Sequence, residues 1–390
     1  MLPFKKEEYL ERVRRTKERM QSQGVEVLFA TDPANMAYLT GYDGWSFYVH
    51  QLVAVSLNDD EPVWIGRPMD ANGARVTTYL KNDDIFGYPD HYVQSTVHHP
   101  MDFVADIARK RGWDNKTIGV EMDAYYFTAA CIDSLRKNLP NARFKDATSL
   151  ANWVRVVKSK AEIRYMQQAA RIMENMIKVT VAAMKPGARQ CDVAAKILHA
   201  QTAGTKQYGG EYASIVPMLP TGKASTAPHL TWSDRKFRRG ELTAIELAAV
   251  RNRYHVPLAR SVFLGKAPAR VLDLAKVQIE GLDAAIGAAK PGVTAEDVER
   301  AFRKVITRHG IEKESRIGYS TGLNYPPDWG EHTISLRAGD KTVLQENMTI
   351  HCVPALSVGN DGIETSETIQ ITAKGAKPFC NVPRKLFVKG

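Results

Sequence analysis

The chain has 390 residues, of which 44% are hydrophobic and 25% charged, with a formal net charge of +10. That is globular composition on a chain too long for one ordinary core, so two domains of roughly 150 and 240 residues are expected. The basic residues are dispersed rather than massed in a tail or stripe, which argues against a nucleic-acid partner, and no run is long and apolar enough to cross a bilayer.

Charge fills the opening MLPFKKEEYLERVRR, where a signal peptide would need an apolar core, so a cytoplasmic location is expected. Residues 5–23 read as an amphipathic helix with Tyr9, Leu10, Val13 and Met20 on one side. The apolar run 27–30 reads as a strand ending in the turn signal TDPAN. Alternation over 48–56 and 62–66, joined by Asn58-Asp59-Asp60, predicts a hairpin. Helices near 101–111 and 124–138, a strand at 117–120 and a last strand around Phe144 complete an α/β first domain. Ser159 with Glu162 has capping-box spacing and opens a long helical period closed by Pro186-Gly187. The boundary is therefore placed within 150–158, giving domains of 1–153 and 154–390. In the second, helices at about 160–184, 190–203, 268–288 and 295–309 alternate with strands at 242–249, 259–264, 348–354 and 366–372. This pattern predicts an α+β domain on an antiparallel sheet.

GYSTG at 318–322 matches the G-x-S-x-G nucleophile elbow, but the LNYPPDWGE that follows carries two prolines where the motif needs a helix. A glycine-rich loop is the better reading. No GxGxxG or P-loop is present. Cys131, Cys191, Cys352 and Cys380 lack CxxC spacing and read as buried free thiols. Glu246 sits inside an apolar strand, where a carboxylate is costly unless it is used or held in a buried salt bridge. On the closing strand, Glu364 and Ser366 share one face and Thr365 and Glu367 the other, so Glu364 is expected to point inward.

Taken in order, VRVVKSKAEIRYM, PHLTW at 228–232, AIELAAV, YHVPLARSVFLGK at 254–266, GYSTGL and GIETSETIQIT resemble the pita-bread superfamily of creatinase, aminopeptidase P and Xaa-Pro dipeptidase. Its peptidases hold two metals with Asp, Asp, His, Glu and Glu. The resemblance carries those positions onto Glu246, Pro257, Tyr319, the vicinity of Val353, and Ser366. Proline and valine have no donor atom, and tyrosine and serine are poor substitutes, so no metal and no cofactor are expected. Creatinase, a metal-free member, uses as acid/base the histidine that matches His229.

TDPANMAYLTGYDGWSFYVHQ at 31–51, GYPDHYVQST at 87–96, STAPHLTW at 225–232, YPPDWGE at 325–331 and NVPRKLFVK at 381–389 look like ectoine hydrolase in particular. That family opens a cyclic amidine, ectoine, to acetylated 2,4-diaminobutyrate and forms homodimers in which the first domain helps close the partner's cavity. The resemblance implies His229, Glu246 and Glu364 as catalytic residues, with Trp45, Tyr48, His255, Arg260, Tyr319, Trp329 and His351 around the substrate. Aromatic rings such as Trp45, Phe47, Tyr48 and Trp329 suit a planar cation, although Phe47 could equally be core. Arg260 could pair with the substrate carboxylate or with a structural acid. A metallopeptidase of Xaa-Pro dipeptidase type and a non-catalytic binding protein on the same fold are the competing readings.

Overall fold

The computed structural model describes residues 2–390 and contains two compact units, Met1–Arg155 and Val156–Gly390. Among the described residues no helix is long and apolar enough to cross a membrane.

In the first unit the chain runs α1 (Lys6–Ser22), β1 (Val27–Ala30), α2 (Pro33–Thr40), β2 (Leu52–Ser56), β3 (Val63–Gly66), α3 (Pro68–Thr77), β4 (Ile85–Gly87), α4 (Pro100–Lys110), β5 (Thr117–Val120), α5 (Ala129–Asn138), β6 (Arg143–Asp146) and α6 (Leu150–Arg155). The six strands form one mixed sheet in the order β4-β3-β2-β1-β5-β6, with β1, β5 and β6 parallel and β1, β2 and β3 antiparallel. Phe29, Leu52, Ile65 and Ile118 of the sheet pack with Val104, Ile107, Trp113 and Leu135 into the unit's core.

TDPAN is not a turn. Asp32 accepts the Ala34 amide at 2.8 Å and caps α2, which Pro33 starts. The same residue types serve turns and N-caps, because both need a short oxygen-bearing side chain over free amides. The helix expected at 124–138 begins only at Ala129.

The second unit opens with α7 (Lys160–Ala183) and α8 (Gln190–Ala203). In α7 both halves of the Ser159/Glu162 capping box are formed. There follow β7 (Leu242–Arg251), β8 (Tyr254–Leu264), α9 (Ala269–Ala288), α10 (Ala295–Arg308), β9 (Gly318–Thr321), β10 (Gly330–Ser335), β11 (Thr349–Cys352), β12 (Leu356–Val358), β13 (Asp361–Ile363), β14 (Glu367–Thr372), β15 (Gly375–Pro378) and β16 (Phe387–Lys389). The sheet β10-β9-β11-β14-β15 is antiparallel throughout. A second sheet, β16-β8-β7, is a long antiparallel hairpin with one parallel strand at its edge.

Asn252 and Arg253, with φ of 47° and 64°, make the two-residue turn of that hairpin, the mirror-image turn whose twist matches paired strands. The two sheets are tied where Ser366 N–H donates to Ala259 O at 3.1 Å and Thr368 Oγ1 donates to Pro257 O at 2.6 Å.

The alternation of faces expected over 364–367 rests on strand geometry that is absent there. Residues 364–366 form a connection between β13 and β14 rather than part of a strand. GYSTG lies on β9, and Ser320 is buried and hydrogen-bonded to Thr333 at 2.6 Å, so it is no exposed nucleophile.

Candidate functional site

Strand β7 carries Ala244 and Glu246 on one face, two residues apart. Ala244 lines a cavity of about 410 Å³ whose wall also includes Glu364, Lys313, Pro228 and Ser225. Glu246 follows two residues on, on the same face. Both carboxyls are buried, 6% exposed for Glu246 and 3% for Glu364.

Burial pushes Glu246 well above the ordinary carboxylate range, and the neighbouring Glu364 and then Asp328 push it further. Burial likewise raises Glu364, to about 7, against the opposing pull of the Lys313 ammonium. Two neighbouring carboxyls whose proton affinities are both raised, one of them by the other's charge, are matched to proton transfer. Such a pair can supply one acid and one base.

Behind the carboxyls lies a polar chain built by strand register. Tyr319 on β9 is paired with His351 on β11. Trp329 Nε1–H donates to the Tyr319 oxygen at 2.7 Å, and the phenol meets His351 Nδ1 at 3.1 Å. His351 Nε2 meets Ser366 Oγ at 2.7 Å, and that oxygen also accepts the Ala259 amide at 2.6 Å. A neutral His351 ring donates at one nitrogen and accepts at the other, so it links the Tyr319 and Ser366 hydroxyls into one continuous chain.

Burial holds His351 down to about 3, so its ring is neutral. At 3.9 Å its approach to Glu246 is then a contact between a neutral ring and an acid, not an ion pair. Burial and the nearby Glu246 hold the Tyr319 phenol well above its usual range. Close packing of β9 on β11 depends on Gly318, since a Cβ there would stand 2.6 Å from the His351 carbonyl. Asp328 lies near enough for its charge to raise both Glu246 and Tyr319. Burial alone would raise it, but His332 at 2.9 Å and the Gly330 amide keep it below its usual range.

The residues singled out in the sequence separate into groups. Glu246, Tyr319, Trp329 and His351 meet in the interior, with Glu364 between them and the cavity. His229 is exposed, on a loop whose neighbours Ser225, Thr226 and Pro228 line that cavity. The loop is held close, because a Cβ at Gly362 would lie 2.1 Å from Ser225 O and the Gly362 amide donates to Ser225 Oγ at 2.9 Å. Trp45 and Tyr48 belong to the first unit, 58% and 66% exposed.

Two substrate-binding expectations are corrected. Arg260 is fully buried, forms an ion pair with Glu367 at 2.7 Å, and donates to the carbonyls of Ser366, Val382 and Pro383. It is a structural tie for the chain's last segment, and Glu367 is its counter-ion. His255 is also occupied. Its Nδ1 meets the Arg253 carbonyl at 2.9 Å and its Nε2 accepts the Ser214 amide at 2.9 Å, leaving a neutral ring that burial holds down to about 4.

Sequence reasoning missed Lys313, Arg316 and Asp328. Lys313 sits in the charged stretch EKESR, which reads as ordinary solvated loop. Yet its ammonium is pulled below its usual range by burial on the cavity wall. Arg316 lies 4.5 Å over the Tyr319 ring.

Residues 164–373 match the model of metallopeptidase family M24, and residues 12–157 match the creatinase/prolidase N-terminal domain. An ectoine hydrolase of Halomonas elongata is 46% identical, covering 100% of this chain and 99% of the relative. A hydrolase/peptidase of Sinorhizobium fredii, itself uncharacterised, is also 46% identical over 100% of this chain and 99% of its own length. Among solved structures, a dipeptidase of Pyrococcus horikoshii superposes with a TM-score of 0.81 at 19% identity, covering 97% of this chain and 99% of that one; at that identity the likeness is one of fold. The chain thus belongs to metallopeptidase family M24, with the pita-bread architecture behind a creatinase/prolidase N-terminal domain, and is a hydrolase of C–N bonds.

Proposed function

We propose that this hydrolase opens the ring of a cyclic amidine, with ectoine as substrate, and does so without a metal. The observation that carries the reading is the buried Glu246–Glu364 pair, both carboxyls raised by burial, with Glu364 on the wall of a cavity large enough for a small ring. The substrate comes from the full-length identity to the Halomonas elongata ectoine hydrolase.

A family metal does not suit the residues present. Of the positions the superfamily resemblance assigns to metal ligands, Pro257 and the vicinity of Val353 offer no side-chain donor. Tyr319 and Ser366 are engaged with Trp329, His351 and the Ala259 amide. Glu246 alone remains a good ligand.

The roles divide by environment. Glu364, at about 7 and facing Lys313, ionises and either attacks the amidinium carbon or takes a proton from the water that does. Glu246, pushed well above the carboxylate range by burial and by the Glu364 and Asp328 charges, acts as the acid. Water adds its oxygen to that carbon, the ring C–N bond breaks, the departing nitrogen receives a proton, and the carbon becomes an amide carbonyl. His229, on the rim loop, passes protons between the departing amine and solvent. A homodimer in which Trp45 and Tyr48 help close the partner's cavity completes the reading.

The test is incubation of the purified protein with ectoine, creatine and Xaa-Pro dipeptides. Ectoine is expected to yield acetylated diaminobutyrate. Glu246→Gln, Glu364→Gln and His229→Ala should each lower turnover by about 10²-fold or more. Cleavage of Xaa-Pro dipeptides with ectoine untouched would replace this reading with a peptidase. Wild-type turnover by His229→Ala would remove that residue from the mechanism.

A further inference from the structure

Four of the protein's ten histidines, His50, His91, His98 and His99, lie in the first unit, and all four gather on one side of it. The His50 and His99 rings are 4.8 Å apart, and His91 and His98 are 5.2 Å apart. Cys131, on the first turn of α5, points into this group with its Sγ 3.5 Å from His50 Nδ1. One donor atom from each of His50, His99 and Cys131 falls within 4.8 Å of the others. None of these residues has a part in the amidine chemistry above.

We infer that His50, His99 and Cys131 bind one divalent transition cation of the zinc class. Two nitrogens and a sulfur are the donor set such an ion prefers. Bonds of about 2.0–2.1 Å to nitrogen and about 2.3 Å to sulfur at tetrahedral angles place an N and an S donor about 3.5 Å apart. The His50–Cys131 pair already has that separation, and the third donor has about an ångström to close.

Burial pulls both histidines below their usual range, so they are neutral and offer lone pairs. The Tyr126 carbonyl hydrogen-bonds the His50 ring, the outer partner that fixes a ligand imidazole's tautomer and orientation. The thiol is buried and raised, so coordination displaces its proton to solvent, one proton for each cation taken up.

A cavity of about 140 Å³, bordered by His50, His98, His99 and Gln94, leads to the group and leaves the fourth position to water. His99 Nδ1 now accepts the Met101 amide at 3.1 Å as the cap of α4. Coordination through His99 gives up that single bond, while Asp102 keeps the His99 amide at 2.9 Å. The ion would join the chain ahead of β2 to the first turns of α4 and α5.

The probe is cobalt(II). Full-length protein stripped with a chelator and titrated with Co²⁺ should develop a thiolate-to-metal absorption band in the near ultraviolet. It should saturate at one equivalent per chain and be displaced by Zn²⁺. Cys131→Ser should abolish the band, and His50→Gln, on the cavity wall, should weaken Co²⁺ binding by at least about 10-fold. Cys191→Ser and Glu246→Gln should leave it unchanged, which separates this site from other thiols and from the second unit's carboxyls. Absence of a thiolate band at stoichiometric Co²⁺ would overturn the inference. So would a band that survives His50→Gln with unchanged affinity, a result that stands even if Cys131→Ser does not fold.

Discussion

Glu364→Gln should make the protein more stable at alkaline pH while removing its activity. In the folded chain burial holds this carboxyl at about 7 rather than at an ordinary 4.5. At about 1.4 kcal/mol for each decade of proton binding, the difference is worth about 3 kcal/mol. Its folded value is raised, so its contribution to stability is fully present below about pH 4.5 and is lost as pH rises through about 7. Glutamine keeps the shape and cannot ionise, so the variant escapes that loss. Calorimetry of wild type and variant from about pH 4 to about pH 9 should show melting temperatures that nearly coincide at the acid end. At the alkaline end they should diverge by roughly 6–12 °C in the variant's favour, at roughly 2–4 °C per kcal/mol for a domain of this size. Stability given up to hold a buried acid ready is the usual signature of a functional site. A wild-type minus variant difference that stays constant across this range would refute the idea that Glu364 is held protonated by its surroundings.

Activity on ectoine should persist in the presence of a strong chelator; loss that returns on adding Mn²⁺, Co²⁺ or Zn²⁺ in the Cys131→Ser background would show that the second unit does use a metal. Arg260→Leu should destabilise the fold by about 3 kcal/mol, because it leaves the buried Glu367 with only the longer Arg384 contact at 3.3 Å and strips the Ser366, Val382 and Pro383 carbonyls of their donor, with KM unchanged in whatever folds; a raised KM with intact stability would return Arg260 to the substrate. Lys158→Met breaks an ion pair with Glu331 of 2.5 Å whose side chains are 0% and 1% exposed, and chemical denaturation should report a similar loss, largely restored by adding Glu331→Leu. Light scattering at micromolar concentration should give the mass of a dimer, and a monomer would leave Trp45 and Tyr48 without the proposed role.

Much of this protein is legible in its sequence because local physics acts locally. The Ser159/Glu162 box, the 3.6-residue period of α7 and the apolar runs of β7 and β11 each specify their own segment. Glu246 stood out for the same reason, since a carboxylate inside an apolar strand needs an explanation wherever the strand packs. TDPAN misled because turns and helix caps use the same side-chain oxygens for the same unpaired amides.

Pairing over distance was decided only by the fold. Arg260 and Glu367 are 107 positions apart, and only the docking of β14 on β8 shows that each answers the other's charge. Lys313 looked like solvated loop until the chain folded it against Glu364. His50, His99 and Cys131 have no motif spacing, because their loop and two helices converge only once the six-stranded sheet is built. A sequence records which groups are costly to bury, whereas the partner that makes burial tolerable is set by tertiary contacts whose sequence separation carries no pattern.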